Sequence, residues 1–121
     1  MPSLFEVSAG KLAGPTTGGT VTQATNKTPG VTLNAESGQI TMNNAALGAA
    51  GEASFTVTND KIAATDVVVV NHGSAGTACS YLVGATAIAA GSFEITVTNV
   101  AAGSLSEAIV INFVAVTAAS S

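Results

Sequence analysis

The segment Glu52-Ala53-Ser54-Phe55-Thr56-Val57-Thr58 alternates apolar and polar side chains without a break. Ala53, Phe55 and Val57 fall on one face, and Glu52, Ser54, Thr56 and Thr58 on the other. A period of two is the signature of a half-buried β-strand and does not fit an amphipathic helix. Ser92-Phe93-Glu94-Ile95-Thr96-Val97-Thr98 repeats the pattern with Phe93, Ile95 and Val97 inward. Residues 66–71, with Val67 to Val70, and 107–116 are apolar and β-branched enough to predict strands at a sheet centre, covered on both faces or packed on a neighbour. Weaker strands are expected over 19–25, 30–33, 38–42 and 81–88, each started or bounded by Gly, Asn or Ser. About eight strands at this spacing predict an all-β chain, an antiparallel β-sandwich of jelly-roll type. Its expected core is Phe55, Val57, Phe93, Ile95, Val110 and Phe113.

An internal repeat supports that architecture. Ala49-Ala50-Gly51 followed by Phe55-Thr56-Val57-Thr58-Asn59 recurs as Ala89-Ala90-Gly91 followed by Ile95-Thr96-Val97-Thr98-Asn99. Each copy ends at Asn, passes a short loop and returns in an apolar strand, so each reads as a hairpin, with two similar hairpins facing each other. Residues 1–18 differ in kind: Pro2, Gly10, Gly14, Pro15 and Gly18 interrupt every periodic run. They are expected to form an extended N-terminal arm ahead of a single β-domain over 19–121. Leu4, Phe5, Val7 and Leu12 supply apolar anchors by which the arm can lie along a partner.

The 121 residues suffice for one domain. Only 8% are charged, against about 25% in an average soluble domain, and the net charge is −4. Thr, Ser, Asn, Gly and Ala must therefore cover the surface, which suits burial against neighbours better than a free monomer. Lys11, Lys27 and Lys61 lie far apart and Arg is absent, so no cluster can displace the counterions of a nucleic acid. Met1 to Ala9 carry Glu6 and no basic cluster, unlike a signal peptide. The longest apolar stretch, 108–119, is broken by Asn112 and Thr117 and is too short for a membrane span, which predicts a soluble chain.

Candidate chemistry is sparse. His72 is the single histidine and Cys79 the single cysteine. His72 lies within and Cys79 just beyond the segment 71–76, read as a hairpin loop, and they are expected as an exposed loop histidine and a small buried cysteine rather than a thiolate pair. Asn59, Asp60 and Asp66 could share a loop cation but lack the spacing of a calcium loop. The glycines fit neither a phosphate loop nor a dinucleotide fingerprint. Tyr81, without any Trp, offers little platform for a sugar. Asn26-Lys27-Thr28 matches a glycosylation sequon, relevant only in a eukaryotic secretory route. No catalytic residue, metal ligand or cofactor is expected.

The runs Gly19-Thr20-Val21-Thr22-Gln23-Ala24-Thr25-Asn26-Lys27-Thr28, Gly30-Val31-Thr32-Leu33-Asn34, Gly38-Gln39-Ile40-Thr41-Met42, Phe55-Thr56-Val57-Thr58-Asn59 and Gly103-Ser104-Leu105-Ser106-Glu107-Ala108, with Ile111-Asn112-Phe113, resemble a family of small phage proteins encoded with virion structural genes. The resemblance covers roughly 19–117. It implies a tailed-phage capsid decoration, or cement, protein at the capsid surface. Such a protein would bind the assembled major capsid protein and associate with itself, as a trimer first and a dimer second, without nucleic acid or membrane. A tail-fibre or receptor-binding module is the alternative. Leu4, Phe5, Val7 and Leu12 are the candidate contact residues.

Overall fold

The structure, a computed structural model, describes residues 18–117 together with the backbone of Val7–Ser8 and Lys11–Leu12. The described residues contain ten strands and no helix. β1 (Val7–Ser8) and β2 (Lys11–Leu12) form a small antiparallel ladder with Val7 opposite Leu12. Within the expected arm these are the only described elements. The other eight strands are β3 (Thr20–Thr22), β4 (Val31–Thr32), β5 (Ser37–Thr41), β6 (Glu52–Thr58), β7 (Val67–Ser74), β8 (Tyr81–Ala89), β9 (Ser92–Asn99) and β10 (Val110–Val116). They form two four-stranded sheets, sheet I in the order β3-β5-β10-β7 and sheet II in the order β4-β6-β9-β8.

From β3 to β8 every successive strand changes sheet, and among these eight strands only β8 and β9 join as a hairpin. That turn passes through Gly91, whose φ of +88° suits a residue without Cβ. The two copies of the repeat are therefore not hairpins. β6 crosses to β7 and β9 crosses to β10, each from sheet II to sheet I. The copies nevertheless lie side by side. β6 runs antiparallel to β9, with Phe55 opposite Ile95 and Val57 opposite Phe93, and β7 runs antiparallel to β10, with Val70 opposite Phe113. Alternation dictates which face of a strand is buried but not which strand it pairs with, which is why the sequence suggested local hairpins.

The antiparallel expectation fails at the outer strands. β3 pairs parallel with β5, and β4 parallel with β6. Parallel neighbours need a long connection. Here the excursion through the opposite sheet supplies it, so the sheets are mixed.

The buried faces of both sheets meet in one core. Phe93 of sheet II and Phe113 of sheet I approach with ring centroids 5.6 Å apart at 55°. Ile40, Ile111 and Ala115 pack with Phe55, Val57, Ile95 and Val97. Val110 does not belong to this core. In β10 the odd positions Ile111, Phe113 and Ala115 are buried and the even ones half-buried, so Val110 and Phe113 point to opposite faces. The valine run 67–70 is likewise not at a sheet centre. β7 is an edge strand, and Val67 and Val69 are each 53% exposed.

Candidate functional site

Among the described residues, the outward face of sheet I carries no ionisable side chain. Its rows follow from the registers. Thr20, Gln39, Asn112 and Asn71 lie across the sheet at one level, and Ser37, Val114 and Val69 at the next, with Val116 beside Val67 beyond. Gln39 Nε2 donates to Asn112 Oδ1 at 3.0 Å, orienting the amides of that row. Val69, Asn71, Asn112 and Val114 line a shallow depression of about 150 Å³. Apolar side chains and oriented amides without charge lose little hydration energy on contact, the composition of the centre of a protein interface. Covering a half-exposed valine yields about 1 kcal/mol.

The outward face of sheet II is different in kind. Glu52 and Glu94 stand among hydroxyls, Ser54 bonds Thr96 at 2.7 Å between their Oγ atoms, and Thr98 Oγ1 donates to Glu52 Oε2 at 3.5 Å. Two carboxylates make this the costlier face to desolvate. At its edge on β8, Leu82 is 64% exposed.

At one end of the two sheets a knot of hydrogen bonds gathers around Glu107. Its Oε1 accepts from the Tyr81 hydroxyl at 2.7 Å and the Thr77 N–H at 2.9 Å, while Oε2 accepts from Thr77 Oγ1 at 2.8 Å. The Thr77 N–H and the Tyr81 hydroxyl hold this carboxyl below its ordinary range. Burial, and then the bond to Glu107, push the Tyr81 phenol up. The buried Lys27 ammonium donates to the Glu107 carbonyl at 2.7 Å and also to the Asn43 carbonyl. Desolvation lowers its pKa, partly offset by the charge of Glu107. These bonds tie the 23–30 loop, the chain after β5, and the β7–β8 connection to the segment entering β10.

His72 is neither in a loop nor exposed. It is half-buried on the inward side of β7, Nε2 donates to the carbonyls of Ser74 at 3.0 Å and Ala75 at 2.5 Å, and its ring meets Tyr81 edge to face at 5.4 Å. Cys79, expected to be buried, is exposed. Its φ is +59° in a connection where Ala75 and Gly76 are also left-handed. His72, Ser74, Gly76 and Cys79 border a cavity of about 300 Å³. Cys79 stands on its rim, and no hydrogen bond among the described residues joins it to a base.

The loop carboxylates are not brought together around a common point. Asn59 is buried against backbone, and Asp66 Oδ2 accepts from the Ala63 N–H at 3.0 Å. Among the described residues no three His, Cys, Asp or Glu side chains are grouped to hold a metal. In the sequon, Asn26 Oδ1 is turned back onto Thr28 N and Oγ1. Of the candidate contact residues, Leu4 and Phe5 lie outside the described residues, and Val7 and Leu12 are described only through their backbone pairing. The charge-free face was missed in the sequence because its members come from four separated strands. The available signal was the pairing of two valine-rich runs, 67–70 and 110–116. No family model matches the chain, nor does any curated protein or solved structure.

Proposed function

We propose that the protein is a structural binding module, a tailed-phage capsid decoration protein that seats the outward face of sheet I on the assembled major capsid protein. On this reading the two sheets form a jelly-roll-like sandwich at the capsid surface, and residues 1–18 lie along a neighbouring subunit. The single observation that carries it is the sheet-wide face without an ionisable group, with Val67, Val69, Val114 and Val116 at one end. A protein that binds only the assembled shell stabilises that state by mass action and needs no chemistry of its own. The resemblance of 19–117 to small virion proteins supplies the partner.

The test uses capsids assembled without this protein. Wild type and Thr96→Lys, altered on the acidic face, should bind and raise the temperature at which the capsids release DNA. Val114→Lys should fold, as judged by circular dichroism, yet fail to bind, because docking would bury an unpaired ammonium. Binding by Val114→Lys equal to wild type removes this face as the docking surface. Wild type that does not bind, or binds without changing the release temperature, ends the decoration role and leaves the tail-fibre module.

A further inference from the structure

The four edge strands of the two sheets are unlike one another. β3 and β4 are three and two residues long, and β8 is regular over Tyr81–Thr86, bulges between Thr86 and Ala89 where Ala87 takes a φ of +54°, and borders the outward face that carries Glu94. Short or bulged edges are the usual defence against pairing with another chain. β7 is regular over its first half too, but it borders the face without charge. It is eight residues long and, among the described residues, has β10 as its only ladder partner. It contains no Pro, Lys, Asp or Glu, and its single register shift falls at its far end, opposite Val110 and Ile111.

We infer that β7 pairs antiparallel with β7 of a second copy of this chain. Both partners supply the same strand, so the symmetry axis is a two-fold normal to the sheet, and one residue must face its own counterpart. Centring on Val68 would draw the buried Asp66 into the ladder, and centring on Val70 would draw in His72 and the irregular Gly73. Centring on Val69 avoids both. Val69 then faces Val69 of the second copy on the outward side, and Val68 faces Val70 on the inward side.

The occupant follows from charge and extent. Residues 67–71 are uncharged on both faces, so a chain of net charge −4 meets its copy here without opposing like charges. Five paired residues span about 17 Å, too little for the ~1,200–2,000 Å² of a standard interface. The pair is therefore weak and forms at high local concentration. It favours the dimer over the trimer and holds whether or not the protein decorates a capsid. It also joins the charge-free faces of two copies into one eight-stranded surface.

The full chain is tested with Cys79→Ser throughout, because Cys79 is the only cysteine. Val69→Cys with a short bismaleimide should give covalent dimer about tenfold faster than Thr56→Cys, which places an exposed thiol at mid-sheet on the other outward face. Val69→Lys should abolish the concentration-dependent dimer of wild type in sedimentation while keeping the β-rich circular dichroism. Equal cross-linking of the two thiols overturns the inference. So does wild type that sediments as a monomer at millimolar concentration or as a trimer, or a dimer that survives Val69→Lys.

Discussion

Asn59 and Asn99, forty residues apart in the two copies of the repeat, are both fully buried and make the same turn. Each Oδ1 accepts from the N–H two residues on, of Lys61 at 3.1 Å and Ala101 at 2.8 Å. Each Nδ2 reaches back to a carbonyl of an earlier segment, Ala35 at 2.6 Å and Leu47 at 2.8 Å. Asn99 also donates to the Gly103 carbonyl at 3.0 Å. Replacing Asn99 with Ala strands these groups away from water and should cost roughly 2–4 kcal/mol. A thermal melt should show this as a fall on the order of 10 °C.

Phe93→Ala should cost about 3–5 kcal/mol, because the ring is buried against Phe113. Val110→Ala, on the outward side of the same β10 that buries Phe113, should cost below about 1 kcal/mol. Urea unfolding of the two variants measures the difference, and equal losses would contradict the placement of Val110.

The depressed carboxyl of Glu107 gives the acid limb of stability a defined sign. A group whose native pKa lies below its unfolded value contributes fully above the unfolded value, and the contribution is lost as pH falls through the native one. Melting temperature should therefore fall as pH drops below about 4.3, with a steeper slope in wild type than in Glu107→Gln. Parallel slopes would show that Thr77 and Tyr81 do not stabilise the charged form.

Gly76 and Gly84 should respond oppositely to alanine. At Gly76 φ is +74°, and a Cβ would come within 2.7 Å of Ile109 Cγ2 and 3.0 Å of Glu107 Oε1. Left-handed strain and overpacking together predict a loss of about 2–4 kcal/mol. Gly84 sits in β8 with nothing within 4 Å of a Cβ, and alanine there should be neutral or stabilising by about 0.5–1 kcal/mol. Chemical denaturation of both variants decides it.

Strand existence and facing were legible wherever the alternation was strict. Ala53, Phe55 and Val57 in β6 and Phe93, Ile95 and Val97 in β9 are buried as the pattern requires. Continuous apolar runs carry no face information, which is why Val110 was misplaced and why Val67 and Val69 read as interior. Partner choice was not legible either. The sheet-to-sheet crossings and the parallel pairing of β3 and β4 depend on contacts far apart in sequence. The charge-free face shares that origin, since Gln39, Asn71 and Asn112 become one row only after three strands have found their registers. The bonds from Lys27 to Asn43 and Glu107 left no trace in composition, because a lysine bound to backbone carbonyls calls for no acidic partner at a fixed spacing.

β10 lies between β5 and β7 although it follows both in the chain. While the protein is being synthesised, sheet I therefore cannot close: β5 lacks its inner neighbour and the valine strand β7 has no backbone partner until residues 110–116 emerge. Sheet II, with β6, β9 and β8 contiguous in space and complete by residue 99, can assemble earlier. A nascent chain stopped short of β10 would hold one formed sheet beside an exposed, uncharged strand, the kind of species that aggregates. Emergence of residues 110–116, rather than collapse of the first half, is then the event that commits this polypeptide to its native state.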